Sequence, residues 1–134
     1  MDKSRSLELV HAFFDAMGKS DSDQIRPLMT ETVRWWFPRS AADSGLVERS
    51  VEGRENLLPL ISHADKYFSS IEWILEHIVV DGDMIAIHAL TNGTTQVGKV
   101  YENEYHFLFR LREDKIDEVW EILDTAYARS QMTS

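Results

Sequence analysis

The sequence predicts one α+β domain over residues 1–134, with a cone-shaped, curved antiparallel sheet wrapped around N-terminal helices. Three observations carry this. Apolar residues recur at spacings of three and four near the N-terminus, and at spacings of two from Ser70 onward. The predicted elements run α-α-β-loop-α-β-β-β-β, helices ahead of a strand meander, which is not the alternating order of a parallel α/β sheet. Long strands of one strongly twisted sheet curl around helices and leave a cavity at the open end.

Ser4 or Ser6 can cap a first helix whose stripe is Leu7, Val10, His11, Phe14 and Met17, with Gly18 placed for a left-handed terminal residue. Ser20 to Asp23 reads as a turn into a short helix, which Pro27 distorts. Glu31 to Phe37 reads as a strand. Its tandem Trp35 and Trp36 point to opposite faces, so at most one lines a cavity. Arg39 to Ser50 reads as a loop with a short strand at Leu46-Val47, either plain surface or a lid. A helix follows over 55–68, with Asn56 as its cap, Pro59 in its first turn and His63 at the rim. Ser70 to Val80 and Asp83 to Thr91 pair through Asp81-Gly82, read as a type I′ turn. Ala126 to Ser134 reads as a frayed tail.

Composition excludes several functions. Fourteen basic against 23 acidic residues leave a formal charge of −9, which disfavours nucleic acid and anionic membrane surfaces. The chain has no cysteine, so it has no disulfide, thiolate nucleophile or Cys-bound metal. That fits a cytoplasmic location, and no signal peptide or membrane-length apolar run is visible. There is no Ser–His–Asp spacing, Gly-rich phosphate loop or clustered metal-ligand pattern, so neither metal nor cofactor is expected.

The stretch from Tyr101 to Thr125 carries the functional candidates. Two strands flank the polar turn Arg112-Glu113-Asp114-Lys115. Tyr105, Phe107, Phe109 and Leu111 share one face of the first, His106, Leu108 and Arg110 the other. In the second, Trp120, Ile122 and Asp124 are expected to face the cavity. A carboxylate at the end of a buried strand is unfavourable unless paired, hydrogen-bonded or protonated. Asp124 is therefore the candidate general acid/base; its alternatives are capping the strand end or pairing with Arg110 or Arg129. A three-residue loop with a bulge places His106 on Asp124's face, and a two-residue loop places it opposite.

Several segments together resemble the SnoaL-like polyketide cyclases and their relatives in the nuclear transport factor 2-like, ketosteroid isomerase-like superfamily. They are the early helix ending near Ser20-Asp21, Val33 to Pro38, Val51 to Asn56, Val80 to Asp83, and Glu104-Tyr105-His106 through Asp124-Thr125. The resemblance implies the cystatin-like α+β barrel reached above, a homodimer through the sheet face, and Asp124 at the position of the cyclases' acid/base. It also favours the bulged turn, which makes His106 an assistant to Asp124.

Other chemistries of the superfamily match less well. The isomerase base is replaced by Trp36-Phe37 ahead of Pro38. The aspartate–histidine dyad of dehydratase-like relatives has Asp15 but Glu72 at the histidine's position. The epoxide-hydrolase set is missing around His88. The expected pocket is lined by Phe14, Trp35 or Trp36, His88, Leu108, Trp120 and Ile122. The expected reaction is cofactor-free cyclisation or isomerisation of an apolar or polycyclic carbonyl compound; the alternatives are non-catalytic binding of an apolar ligand and a dimeric interaction domain.

Overall fold

The computed structural model describes residues 2–134. Helix α1 (Lys3–Gly18) is followed by α2 (Ser22–Ile25), which runs through a 3-10 turn into β1 (Met29–Trp36). Then come α3 (Arg39–Asp43), β2 (Ser50–Glu52), α4 (Arg54–Ile61) and a second 3-10 turn at Ala64–Lys66. The rest is β3 (Phe68–Asp81), β4 (Met84–Thr95), β5 (Val100–Tyr101), β6 (Glu104–Arg112), β7 (Lys115–Leu123) and α5 (Thr125–Met132). The sheet order is β2-β1-β7-β6-β4-β3, with β5 beside β4. All pairs are antiparallel except β1 with β7, so the curved sheet is mixed and open.

Helix α1 fills the concave side. Val10, Phe13 and Phe14 are buried against Trp35, Phe107 and Phe109, with Phe13 edge-on to Phe109 at 5.6 Å. The buried stripe takes in Leu9, Phe13 and Ala16 and leaves His11 in solvent. Asp2, rather than Ser4 or Ser6, caps the helix by accepting from the Arg5 amide. The positive φ after the helix falls on Ser20, not on Gly18.

Several further local expectations shift. Helix α4 starts at Arg54 and stops at Ile61, and Asn56 donates to the Glu52 carbonyl instead of capping. The segment from Arg39 to Ser50 contains the short helix α3, and its strand falls at Ser50–Glu52 rather than at Leu46-Val47. The β3–β4 loop is Gly82-Asp83 with positive φ only at Gly82, so it lacks the two left-handed residues of a type I′ turn. Strand β4 runs through Asn92-Gly93 to Thr95. Only glycine fits at position 93, because a Cβ there would lie 2.3 Å from the Ser70 carbonyl oxygen.

The tail differs too: it is helix α5, not frayed chain. The Tyr127 hydroxyl accepts from the Glu102 amide at 3.0 Å, and Gln131 Nε2 donates to the Val100 carbonyl at 2.6 Å. These bonds dock the helix on β5.

The β6–β7 turn decides which side chains meet the cavity. Arg112 pairs with Lys115 across a two-residue loop, with both Glu113 and Asp114 at positive φ. Arg110 pairs with Glu118 but Leu111 with Ile116, so Asp117 is an extra residue in β7. This bulge shifts the register within the strand rather than in the loop. Tyr105, Phe107, Phe109 and Leu111 then share the inner face with Leu123, Glu121, Val119 and Ile116. His106 does share a face with Trp120 and Ile122, but that face is the outer one.

Candidate functional site

At the open end of the cone lies a cavity of about 160 Å³. Its walls are Trp35 and Phe37 from the end of β1, Trp73 from β3, Tyr105 and Phe107 from β6, and Glu121 from β7. His63 and Tyr67, around the second 3-10 turn, form an exposed rim. Strand alternation aims these wall residues inward, and Phe14 of α1 backs the wall, 5.2 Å from Trp73 and 5.0 Å from Phe107.

Glu121 is the one carboxylate among the lining residues. Its Oε1 accepts a hydrogen bond from Trp35 Nε1–H at 3.1 Å, and among the described residues no cation pairs with it. Burial raises its pKa to about 7, and the Trp35 hydrogen bond opposes this only in part. Protein surrounds the group, yet it keeps partial exposure because its side chain opens into the cavity. A carboxyl that is desolvated but accessible is suited to exchanging protons near neutral pH.

Tyr105 supplies a second polar group. Its hydroxyl lies 2.7 Å from that of Tyr101, and Asn103 Nδ2 donates to the Tyr101 hydroxyl at 2.8 Å. Burial, the largest influence on both phenols, holds them protonated, with Tyr105 well above its ordinary range. Tyr105 reaches the cavity, and the buried Tyr101 and Asn103 lie behind it.

The structure does not bring Asp124 and His106 together in this cavity. Asp124 is exposed beyond the end of β7, where its Oδ1 accepts from the Tyr127 amide at 3.0 Å and caps α5. The local sequence Asp124-Thr125 thus starts a helix. His106 is exposed on the outer face, its ring stacked 5.0 Å from His88. His88, Leu108, Trp120 and Ile122 share that outer face, with Leu108 37% and Ile122 65% exposed. Trp35 is the inward member of the tandem pair, at 1% exposure; Trp36 is half-buried on the other side. Asp15 is solvated and pairs with Lys19 at 2.9 Å. Tyr105 had a signal in the sequence, because its face of β6 is the more apolar one; Glu121 had none, because the bulge at Asp117 is what sets it opposite Phe107 on that face.

The open, curved mixed sheet packed on N-terminal helices is the nuclear transport factor 2-like fold. The chain belongs to the SnoaL-like domain family, whose model matches residues 10–119. No curated protein matches the sequence. Among solved structures, a protein of unknown function and nuclear transport factor 2-like fold from Burkholderia pseudomallei has a TM-score of 0.85 at 16% identity, with both chains fully covered. TerC, co-crystallised with polyporic acid, has a TM-score of 0.83 at 17% identity, covering 97% of this chain and 99% of its own. IdmH, a candidate polyketide cyclase from Streptomyces antibioticus, has a TM-score of 0.78 at 21% identity, covering 93% and 96%. At these identities the likeness shows the fold. No helix among the described residues is long and apolar enough to cross a membrane.

Proposed function

We propose that this protein is a cofactor-independent enzyme that moves a proton at the carbon next to a carbonyl group of a small apolar substrate. The observation that carries this reading is Glu121, a carboxyl raised to about 7 in an aromatic cavity with no cation beside it. In this reading the acid/base role belongs to Glu121 and not to Asp124, whose carboxylate is engaged as a helix cap.

The ionised Glu121 takes the proton from the substrate carbon, and the C–H electron pair delocalises onto the carbonyl oxygen as an enolate. With Asn103 donating to Tyr101, Tyr101 donates on to Tyr105 and leaves the Tyr105 proton for that oxygen. The enolate carbon then attacks a second carbonyl of the same molecule, closing a ring as the new alkoxide oxygen takes the proton back from Glu121; in a conjugated enolate Glu121 instead returns the proton to the remote carbon, which shifts the double bond. These are the cyclisation and isomerisation outcomes. The cavity is about the size of one that holds a benzene-sized molecule, which favours a single-ring substrate over a polycyclic one. The polyporic acid bound to TerC is consistent with an organic ligand for this fold.

The test is exchange of the α-hydrogens of small cyclic ketones in deuterated water, followed by NMR. The wild type should catalyse exchange, and Glu121→Gln should lose roughly 100- to 10,000-fold of the rate. Tyr105→Phe should lose less, and Asp124→Asn should leave the rate unchanged. Exchange that survives Glu121→Gln contradicts the proposal. A ketone bound tightly without exchange favours the non-catalytic binder.

The outer sheet face supports a second element of the proposal, self-association as a homodimer. Ile74, Val79, Leu108 and Ile122 are all exposed on it. Sedimentation should show a dimer that Ile122→Glu converts to monomer; a monomeric wild type at micromolar concentration excludes it.

A further inference from the structure

Across the outer face of the sheet, on the side away from the cavity, three histidines form one row. His77 on β3 pairs with His88 on β4, and His88 with His106 on β6. His77 and His88 have their rings stacked 5.3 Å apart, and their Nδ1 atoms are 3.0 Å apart. Strand β3 is bulged here: Leu75 pairs with Ala89 and His77 with His88, so Glu76 is an extra residue without a Cα partner. Neighbours in a regular strand point to opposite faces, but the bulge leaves both Glu76 and His77 on the outside. Glu76 Oε1 consequently comes within 3.5 Å of His88 Nδ1. One carboxylate oxygen and two imidazole nitrogens lie within 4.8 Å of one another.

The other side of His88 is also fixed. Its Nε2 lies 2.6 Å from Glu104 Oε2 on β6. A carboxylate accepts, so Nε2 carries the proton, and Nδ1 presents a lone pair towards His77 and Glu76. A carboxylate that orients one nitrogen of a histidine while the other faces a metal is the usual outer-shell arrangement at zinc sites. Two nitrogens on a tetrahedral zinc ion at roughly 2.05 Å lie about 3.3 Å apart, so the 3.0 Å pair needs to open only slightly.

We propose that Glu76, His77 and His88 form a binding site for a borderline divalent metal ion of the zinc type, with Glu104 as the positioning residue for His88. Two imidazoles and one carboxylate suit zinc, and three protein ligands leave a fourth position open to water. The ion takes the place of the proton that His77 Nδ1 donates to His88 Nδ1, and fastens β3 to β4 across the bulge. The site is independent of the acid/base reading of the cavity.

The experiment is calorimetric titration of zinc chloride into chelator-treated protein at about pH 7.5, where neutral imidazole is available to the metal. The wild type should bind one ion per chain with a dissociation constant in the micromolar range or below. His77→Gln and His88→Gln should each weaken binding at least about 100-fold, and Glu104→Gln roughly 10-fold. Saturating zinc should raise the wild-type melting temperature, and should not raise that of His88→Gln. His11→Gln, on helix α1 and outside the ligand set, should change nothing. Absence of binding, or binding that survives both His77→Gln and His88→Gln, overturns the site.

Discussion

Strand β7 carries two glutamates that each accept a hydrogen bond from an indole, one on each side of the sheet. Trp35 donates to Glu121 at 3.1 Å on the inside, and its neighbour Trp36 donates to Glu118 at 2.7 Å on the outside. The parallel pairing of β1 with β7 gives both glutamates the same kind of donor. They differ in what else surrounds them. Glu118 forms a 2.7 Å ion pair with Arg110, whereas Glu121 has only the indole and the aromatic cavity. An indole N–H offsets part of the desolvation of a carboxylate but supplies no charge, so burial dominates at Glu121. What makes Glu121 a candidate proton carrier is the cation it lacks.

The largest effects should separate the two tryptophans. Trp35→Ala removes a fully buried indole and leaves a cavity, and should destabilise the fold by about 3–5 kcal/mol in urea unfolding. Trp36→Ala acts on a half-buried ring between Arg34 and Arg49 and should lose about 1 kcal/mol. Equal losses would break the comparison.

Next comes the pH dependence. The folded-state pKa of Glu121 lies above its ordinary value of 4.5, so the native state binds the extra proton between about 4.5 and 7. Stability therefore falls as pH rises through that window and levels off above it. Glu121→Gln has no such titration; it should gain on the wild type by up to about 3 kcal/mol above pH 7 and match its slope below 4.5.

Smaller effects belong to the carboxylates outside the cavity. Asp124→Ala removes the cap of α5 and should lower stability by about 1 kcal/mol. A double-mutant cycle on Arg110 and Glu118 should give a coupling of roughly 0.2–1 kcal/mol, weakened by salt. A coupling several times larger would mean that the outer glutamate is far less solvated than its surroundings indicate.

Periodicity and element order read the architecture correctly, because the helix stripe and the strand alternation both span many residues. The opposed facing of Trp35 and Trp36 was legible for the same reason. What periodicity does not fix is the absolute face of a strand that is apolar on both sides. In β7, Trp120 and Ile122 looked as suited to the interior as Val119 and Leu123, and the sheet sends them outward.

The bulges beside the cavity and the histidine row were also hidden. Asp117 in β7 and Glu76 in β3 each add one residue, which no composition signals. The first sets the face on which Glu121 meets Tyr105 and Phe107. The second brings Glu76 beside His77, so a metal-ligand spacing absent from the linear sequence assembles across strands. Asp124 misled for a local reason: a carboxylate after a strand can equally begin a helix, and Asp124 caps the one that the apparent tail forms.

Everything proposed for the cavity depends on Glu121 exchanging its proton near neutrality. The most direct measurement is a carbon-13 NMR titration of the glutamate carboxyl resonances, with Glu121 assigned by its loss in Glu121→Gln. A buried, cation-free Glu121 should give a titration midpoint of about 7 for that resonance. A midpoint at the ordinary glutamate value of about 4.5 would contradict it.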